Sequence, residues 1–420
     1  LTCSFLVMCS IVSFFLNRVK IINISIIFFS SLFALYLINA FLIFKKLNTL
    51  QVVTSTTGIF QLYTDLKAVE DDISVSTRAR SIGDDDFPLF TFSDISNTKT
   101  IHCNENGYFS IFHTDRYGFN NPDSEWEKDE IEFMLVGDSL VHGACVNEPD
   151  TISGNLKKMI DGGGVLNLGF SGNGPLIQYS TLREYLTLKK TNRVVWLFTE
   201  INDFSDLAIE LENKILSSYL NDRTFTQNLH LRQNEIDEKL KKKLDLLYIV
   251  KKKVLERKYR SKILSFVRLY DLRDYVKEHS IKFSSDPDKI MIEPNILESS
   301  TIETPNKILA TFSEIIYLSK ILSEENETKF YFVFLPAHYR YKSESYRNIQ
   351  SKIYKDAINI VDKFNIPIID INEDLFLKHP NPLSLFPPDL GNIGIAHFNE
   401  LGYKLVSKII LKRITEYEKN

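Results

Sequence analysis

A chain of 420 residues with 44% hydrophobic and 25% charged residues has the balance of a folded protein, which excludes a disordered or fibrous chain. A net charge of −4 excludes a generally basic nucleic-acid binder, and four cysteines exclude a disulfide scaffold or a multi-zinc protein. The mean hydropathy of −0.11 excludes a polytopic transporter but leaves room for a local membrane segment. The length suits one large α/β domain with additions, or two domains.

Residues 1–44 carry only Arg18 and Lys20 as charges, and the run 21–44 is 24 uncharged residues. As a helix that run is roughly 36 Å long, enough to cross a hydrocarbon core of about 30 Å. Residues 1–16 form another apolar run, too short to span. The whole of 1–46 reads as a transmembrane hairpin with a truncated first helix, or as one span with a hydrophobic lead. No small-x-small cleavage site comes after it, whereas Lys45-Lys46 do, so a signal peptide is the weaker reading. Arg18 and Lys20 against Lys45 and Lys46 leave the orientation nearly tied.

Residues 47–129 are polar and turn-rich, with short apolar stretches near Phe87–Phe92 and Tyr108–Phe112 that could be strands; they read as a linker and small β-rich cap. From 130 the pattern changes. Apolar runs Ile131–Val136, Val165–Leu168, Val194–Phe198, Phe330–Leu335 and Ile366–Ile369 alternate with helical stretches such as Leu176–Leu188 and Leu309–Leu322. This alternation predicts βαβ units and a parallel five-stranded sheet covered on both faces, with the ligand site beyond the strands' carboxyl ends. Residues 205–300 read as a helical insertion, whose stretch 239–273 holds 13 Lys/Arg against Asp245, Glu256 and Asp271. That is either a solvated helical face or a surface for anionic lipid headgroups or a polyanionic glycan. Nothing in it marks a nucleic-acid platform.

The residues able to do chemistry stand just past the strand ends. After the first strand come Gly137-Asp138-Ser139, which puts a hydroxyl at the sheet edge, where helix N–H groups can support developing negative charge. A helix N-cap serine has the same appearance. After the second come Gly169, Gly172 and Gly174 before Pro175, a loop whose backbone can approach a ligand closely, or a plain βα turn. After the third comes Asn202, an amide able to donate to an oxyanion or to serve an ordinary turn. Before the last helix comes His397, with Phe398-Asn399 directly after it.

In this order and at these strand ends, the four blocks resemble the SGNH (GDSL-type) hydrolase superfamily over about residues 130–415. With Tyr117-Gly118-Phe119-Asn120-Asn121-Pro122 ahead of the serine block, the chain looks closest to bacterial membrane-anchored members. The resemblance implies a flavodoxin-like three-layer fold, Ser139 as nucleophile and His397 as general base. It further implies an oxyanion hole of the Ser139 and Gly172 N–H groups and the Asn202 amide. No cofactor is expected, and no metal site either, since the histidines and cysteines show no ligand spacing. Two departures stand out: Glu200 replaces the glycine two before Asn202, and Gly394 replaces the aspartate three before His397. The expected replacement for that aspartate is Asp389 from the preceding loop, or a backbone carbonyl in a Ser-His dyad. Cys103 and Cys145 are expected either to form a disulfide pinning the cap to the catalytic domain or to remain two buried thiols.

The resulting expectation is a membrane-anchored ester hydrolase or O-acyltransferase on acyl esters of cell-surface carbohydrate, with its catalytic domain extracytoplasmic. The competing expectations are a non-catalytic glycan-binding or envelope scaffold protein and, on the glycine loop alone, a phosphate- or nucleotide-binding domain. The last lacks a Gly-Lys-Ser/Thr sequence.

Overall fold

Side-chain alternation along three long strands builds the layers of the fold. The computed structural model describes residues 17–48, 56–70, 72–76, 89–260, 266–270, 272–273, 275–276, 305–342, 344–388 and 397–419. Residues 1–51 and 253–293 make one compact unit, and residues 52–252 and 294–420 another.

In the first unit lies α1 (Arg18–Asn48), of which Arg18–Ile43 is long and apolar enough to cross a membrane, at a mean hydropathy of 2.3. Asn39 is its one buried polar side chain among the described residues, and its amide oxygen accepts the N–H of Leu272 at 3.0 Å. The first half of the expected hairpin, residues 1–16, lies outside the described residues.

The second unit begins with α2 (Thr56–Lys67), β1 (Ile73–Val75), β2 (Lys99–Ile101) and β3 (Ile111–His113). β1 pairs parallel to β2, and β2 antiparallel to β3, so the cap is a three-stranded sheet closed by a loop over 102–110. The expected strand near Phe87–Phe92 is absent over its described part, 89–92. There Phe90 gives its N–H to the Gln227 side chain (2.8 Å) and takes the amide hydrogen of the same group on its carbonyl (3.2 Å). A side-chain amide thus does the work of a neighbouring strand.

Next come β4 (Glu130–Gly137), α3 (Ser139–His142), α4 (Ile152–Met159), β5 (Gly164–Asn167), α5 (Pro175–Tyr185), β6 (Lys190–Thr191) and β7 (Arg193–Thr199). The insertion supplies α6 (Asp203–Glu210), α7 (Lys214–Asn221) and α8 (Gln233–Arg260). The chain closes with α9 (Pro305–Glu325), β8 (Lys329–Leu335), α10 (Glu344–Asp362), β9 (Ile368–Asp370), α11 (Ile371–Asp374) and α12 (Glu400–Tyr417).

The sheet runs β5-β4-β7-β8-β9 with every pair parallel, and β6 pairs with the start of β4. Counted in chain order, its five main strands lie 2-1-3-4-5, the flavodoxin-like doubly wound order. Met134, Val136, Val194, Trp196, Phe198, Phe332 and Phe334 face a layer holding Leu176, Ile177, Phe312 and Ile315 of α5 and α9. Phe133, Leu135, Val195, Leu197, Val333 and Leu335 face the opposite layer, with Leu156 of α4 and Val406 and Ile410 of α12. Burial on both faces explains why the strands read as continuous apolar runs rather than as alternating ones. Each such fully buried side chain is worth about 1.5–3 kcal/mol of transfer free energy.

The Tyr117–Pro122 segment locks the cap to this sheet. Gly118 has φ +82°, and a Cβ there would lie 1.9 Å from the carbonyl oxygen of Asp94, so no other residue fits. The Asn121 side chain bonds both the N–H (2.8 Å) and the carbonyl (2.9 Å) of Asn167 at the end of β5, as a neighbouring strand would. Asn120 donates to the carbonyl of His142, at the end of α3 (2.8 Å).

Candidate active site

β4 delivers Ser139 to the carboxyl edge through a turn with no spare room. A Cβ on Gly137 would sit 2.4 Å from Val141 and 2.8 Å from the carbonyl of Leu197, so a glycine must precede Asp138. Asp138 is the N-cap of α3, and its carbonyl accepts the N–H groups of Val141 and His142, each at 2.9 Å. Ser139 is the first residue of that helix, where a backbone N–H has no intrahelical acceptor. Its side chain is partly exposed.

Gly172 and Asn202 converge on the same point. Gly172 has φ +85°, a conformation that favours glycine, and its N–H donates to Asp138 Oδ1 at 2.5 Å. Asn202, the N-cap of α6, donates through Nδ2 to Asp138 Oδ2 and to Asp206 Oδ2, the latter at 2.7 Å. With carboxylates on both sides, the amide nitrogen and not its oxygen must face Asp138. The structure therefore gathers Gly172, Asn202 and Ser139 around one negatively charged group, the Asp138 carboxylate. The Ser139 hydroxyl donates to Asp138 Oδ2 at 3.4 Å, and it makes no hydrogen bond to His397.

His397 stands beside the turn after α3, where its Nδ1 lies 3.9 Å from Cys145 Sγ. Its partner is a residue that sequence reasoning missed. Nδ1 is 2.9 Å from Glu105 Oε1, and the His397 N–H donates to Glu105 Oε2 at 3.3 Å. The side chains of this pair are 15% and 12% exposed, so water screens them little. Glu105 comes from the loop between β2 and β3, 292 positions away in sequence. Asp389, the expected acid, and Gly394 lie outside the described residues.

Cys103 and Cys145 are joined by a disulfide, with a Cα separation of 4.8 Å. Glu105, Cys145 and His397 place one donor atom each within 4.8 Å of one another. A sulfur engaged in a disulfide is not the thiolate that a metal selects, so the trio does not fit an ion.

Two further histidines line the neighbourhood. His142 Nδ1 accepts the Ser171 N–H at 3.3 Å, which places its proton on Nε2. Burial first, and then the charge of His397, pushes its pKa down to about 3. His102 lies 3.0 Å from the Ser171 hydroxyl through Nε2, and burial likewise pushes it well below its ordinary value. Both rings stay neutral near pH 7 and serve to hold the segment carrying Gly172.

Glu200 is fully buried, and it accepts from the N–H of Ala337 (2.9 Å) and from the Arg340 guanidinium. It thereby ties the loop bearing Asn202 to the end of β8. Arg340 also lines a cavity of about 490 Å³ at the ends of β8 and β9, together with Tyr341, Arg347, Tyr354, Lys355 and Phe376.

No protein-family model matches the chain, and no curated protein matches its sequence. Among solved structures it is similar to a lipase/acylhydrolase from Enterococcus faecalis, at 14% identity over 68% of this chain and 97% of that one, with a TM-score of 0.35. A G-D-S-L family lipolytic protein from Desulfitobacterium hafniense matches at 12% identity, over 68% and 99% of the two chains and with a TM-score of 0.35. The psychrotrophic esterase of a Pseudoalteromonas species matches at 10% identity, over 70% and 100%, with a TM-score of 0.33. Likenesses this distant leave the activity to be read from the chain's own side chains. By its strand order, with helices packed on both faces of the parallel sheet, the chain has a three-layer, flavodoxin-like α/β fold.

Proposed function

We propose that the protein is a membrane-anchored serine ester hydrolase or O-acyltransferase acting on acyl esters of cell-surface carbohydrate. One observation carries the reading: the Gly172 N–H and the Asn202 amide point together at a carboxylate next to the Ser139 hydroxyl. Donors that hold one anionic oxygen pair beside a nucleophile can hold the oxyanion of a tetrahedral intermediate. Gly172 has a single N–H, so it cannot serve Asp138 and an oxyanion at once. A substrate carbonyl displaces Asp138 and, by the same movement, frees the Ser139 hydroxyl for His397.

The Ser139 oxygen then attacks the ester carbon as its proton passes to His397, and that proton goes on to the departing alkoxide as the C–O bond breaks. Water or a sugar hydroxyl resolves the acyl-enzyme, which gives hydrolysis or transfer. Support for the anchor is the apolar stretch Arg18–Ile43. Support for an oxidising, extracytoplasmic setting is the Cys103–Cys145 bond. The carbohydrate rests on the family resemblance alone.

A fluorophosphonate probe should label the full chain in detergent at Ser139 and leave the Ser139→Ala variant unlabelled, read by peptide mass spectrometry. Equal labelling of both would overturn the assignment. Asn202→Ala should lower kcat on p-nitrophenyl acetate about 10²–10³-fold, the usual loss for one oxyanion donor, with KM little changed. The Ser139–Asp138 bond, made in place of one to His397, is the observation that favours a non-catalytic glycan-binding or envelope scaffold protein. That reading requires parent and variant alike to be unlabelled.

A further inference from the structure

The cap loop reaches the candidate site on several sides. Cys103 is bonded to Cys145, the Asn106 amide donates to the carbonyl of Cys145 at 3.0 Å, and the Tyr108 hydroxyl donates to Glu400, three residues after His397, at 2.6 Å. His102 bonds Ser171, the neighbour of Gly172, at 3.0 Å. The loop is braced internally by the Ser110 N–H on the Cys103 carbonyl (2.9 Å) and the Gly107 N–H on Asn104 (3.1 Å). At its centre Glu105 grips His397 by ring and backbone together.

A carboxylate on Nδ1 permits one tautomer. Nδ1 keeps its hydrogen and donates it, and the lone pair is left on Nε2, the nitrogen that must take a proton from a serine. As that proton moves from Ser139 Oγ to Nε2, positive charge develops on the ring next to an ionised Glu105. The Nδ1–H bond is never broken, and Glu105 gains no proton. We propose that Glu105 is the positioning residue for His397 in place of the aspartate that Gly394 replaces, and that the Cys103–Cys145 bond holds it there. The site is thus shared between a cap loop and the α/β domain, and it is complete only when the disulfide is formed. This inference rests on the hydrolase reading.

The experiment compares the parent with Glu105→Gln, Glu105→Asp and Ser139→Ala, all full-length in detergent, on p-nitrophenyl acetate. Glu105→Gln should lower kcat about 10³–10⁴-fold with KM within twofold, the scale for losing the carboxylate partner of a catalytic histidine. Glu105→Asp should recover at least tenfold of that loss. The low-field proton resonance of the His397 Nδ1–H should be present in the parent and absent in Glu105→Gln, a signature that a purely structural glutamate would not produce. Reduction of the disulfide should lower kcat in parallel with Glu105→Gln. Full activity of Glu105→Gln beside an inactive Ser139→Ala overturns the role of Glu105 and leaves the hydrolase reading standing. Activity of Ser139→Ala equal to the parent's overturns both. Unchanged kcat after verified reduction removes the disulfide from the proposal.

Discussion

Ser139→Ala is expected to lower kcat for ester hydrolysis by at least about 10⁴-fold, and His397→Ala by a similar factor, while the double variant loses little more than either. The non-additivity is the informative part. A serine without a base is as weak a nucleophile as a base without a serine, so the two losses are one loss seen twice. Activity that survives reflects the oxyanion donors and substrate binding, which the Gly172 N–H and Asn202 continue to supply. Steady-state kinetics on p-nitrophenyl acetate, with far-ultraviolet circular dichroism to confirm folding, checks this. Independent, multiplicative losses in the two single variants would separate Ser139 from His397 and dismantle the pair.

The main strands were legible in the sequence because both faces of the sheet are covered. Runs such as Val194–Phe198 stay apolar throughout, and the structure extends that one only to Arg193–Thr199. The Gly137-Asp138-Ser139 turn was legible for a related reason: strand, tight glycine and helix start leave a local signature. The partner of His397 was not. Glu105 is 292 residues away, in a polar loop with no periodicity, and only the pairing of Cys103 with Cys145 could have drawn it toward the site. The expected strand over Phe87–Phe92 failed in its described part because a single Gln227 side chain took up the backbone groups of Phe90, a long-range contact that no local pattern encodes. The short strands β1 and β2 escaped notice as well. Three residues each, they are too brief to show a period of two.

Glu200 is one of the two positions where the sequence departs from the pattern it resembles, and it sets up the second large effect. Burial raises the pKa of Glu200, and the Arg340 guanidinium counters that rise. The pair is nearly dry, with side chains 8% and 0% exposed for Arg340 and Glu200. Arg340→Ala strips the carboxylate of its counter-charge and should destabilise the domain by about 3–5 kcal/mol near neutral pH. The direction of the shift sets the sign of the pH dependence. A carboxyl whose folded pKa lies above its unfolded one binds its proton more tightly when folded, so acidification stabilises the fold until the group is protonated in both states. Loss of Arg340 raises the folded pKa further, so the deficit of Arg340→Ala should shrink as the pH is lowered from 8 toward 5. Replacing both partners, as Arg340→Met with Glu200→Leu, should recover most of the loss, because no unpaired charge then remains buried. Urea denaturation of the three proteins across that range reads all of these differences. A deficit for Arg340→Ala that is the same at every pH would show that its guanidinium contributes packing rather than charge.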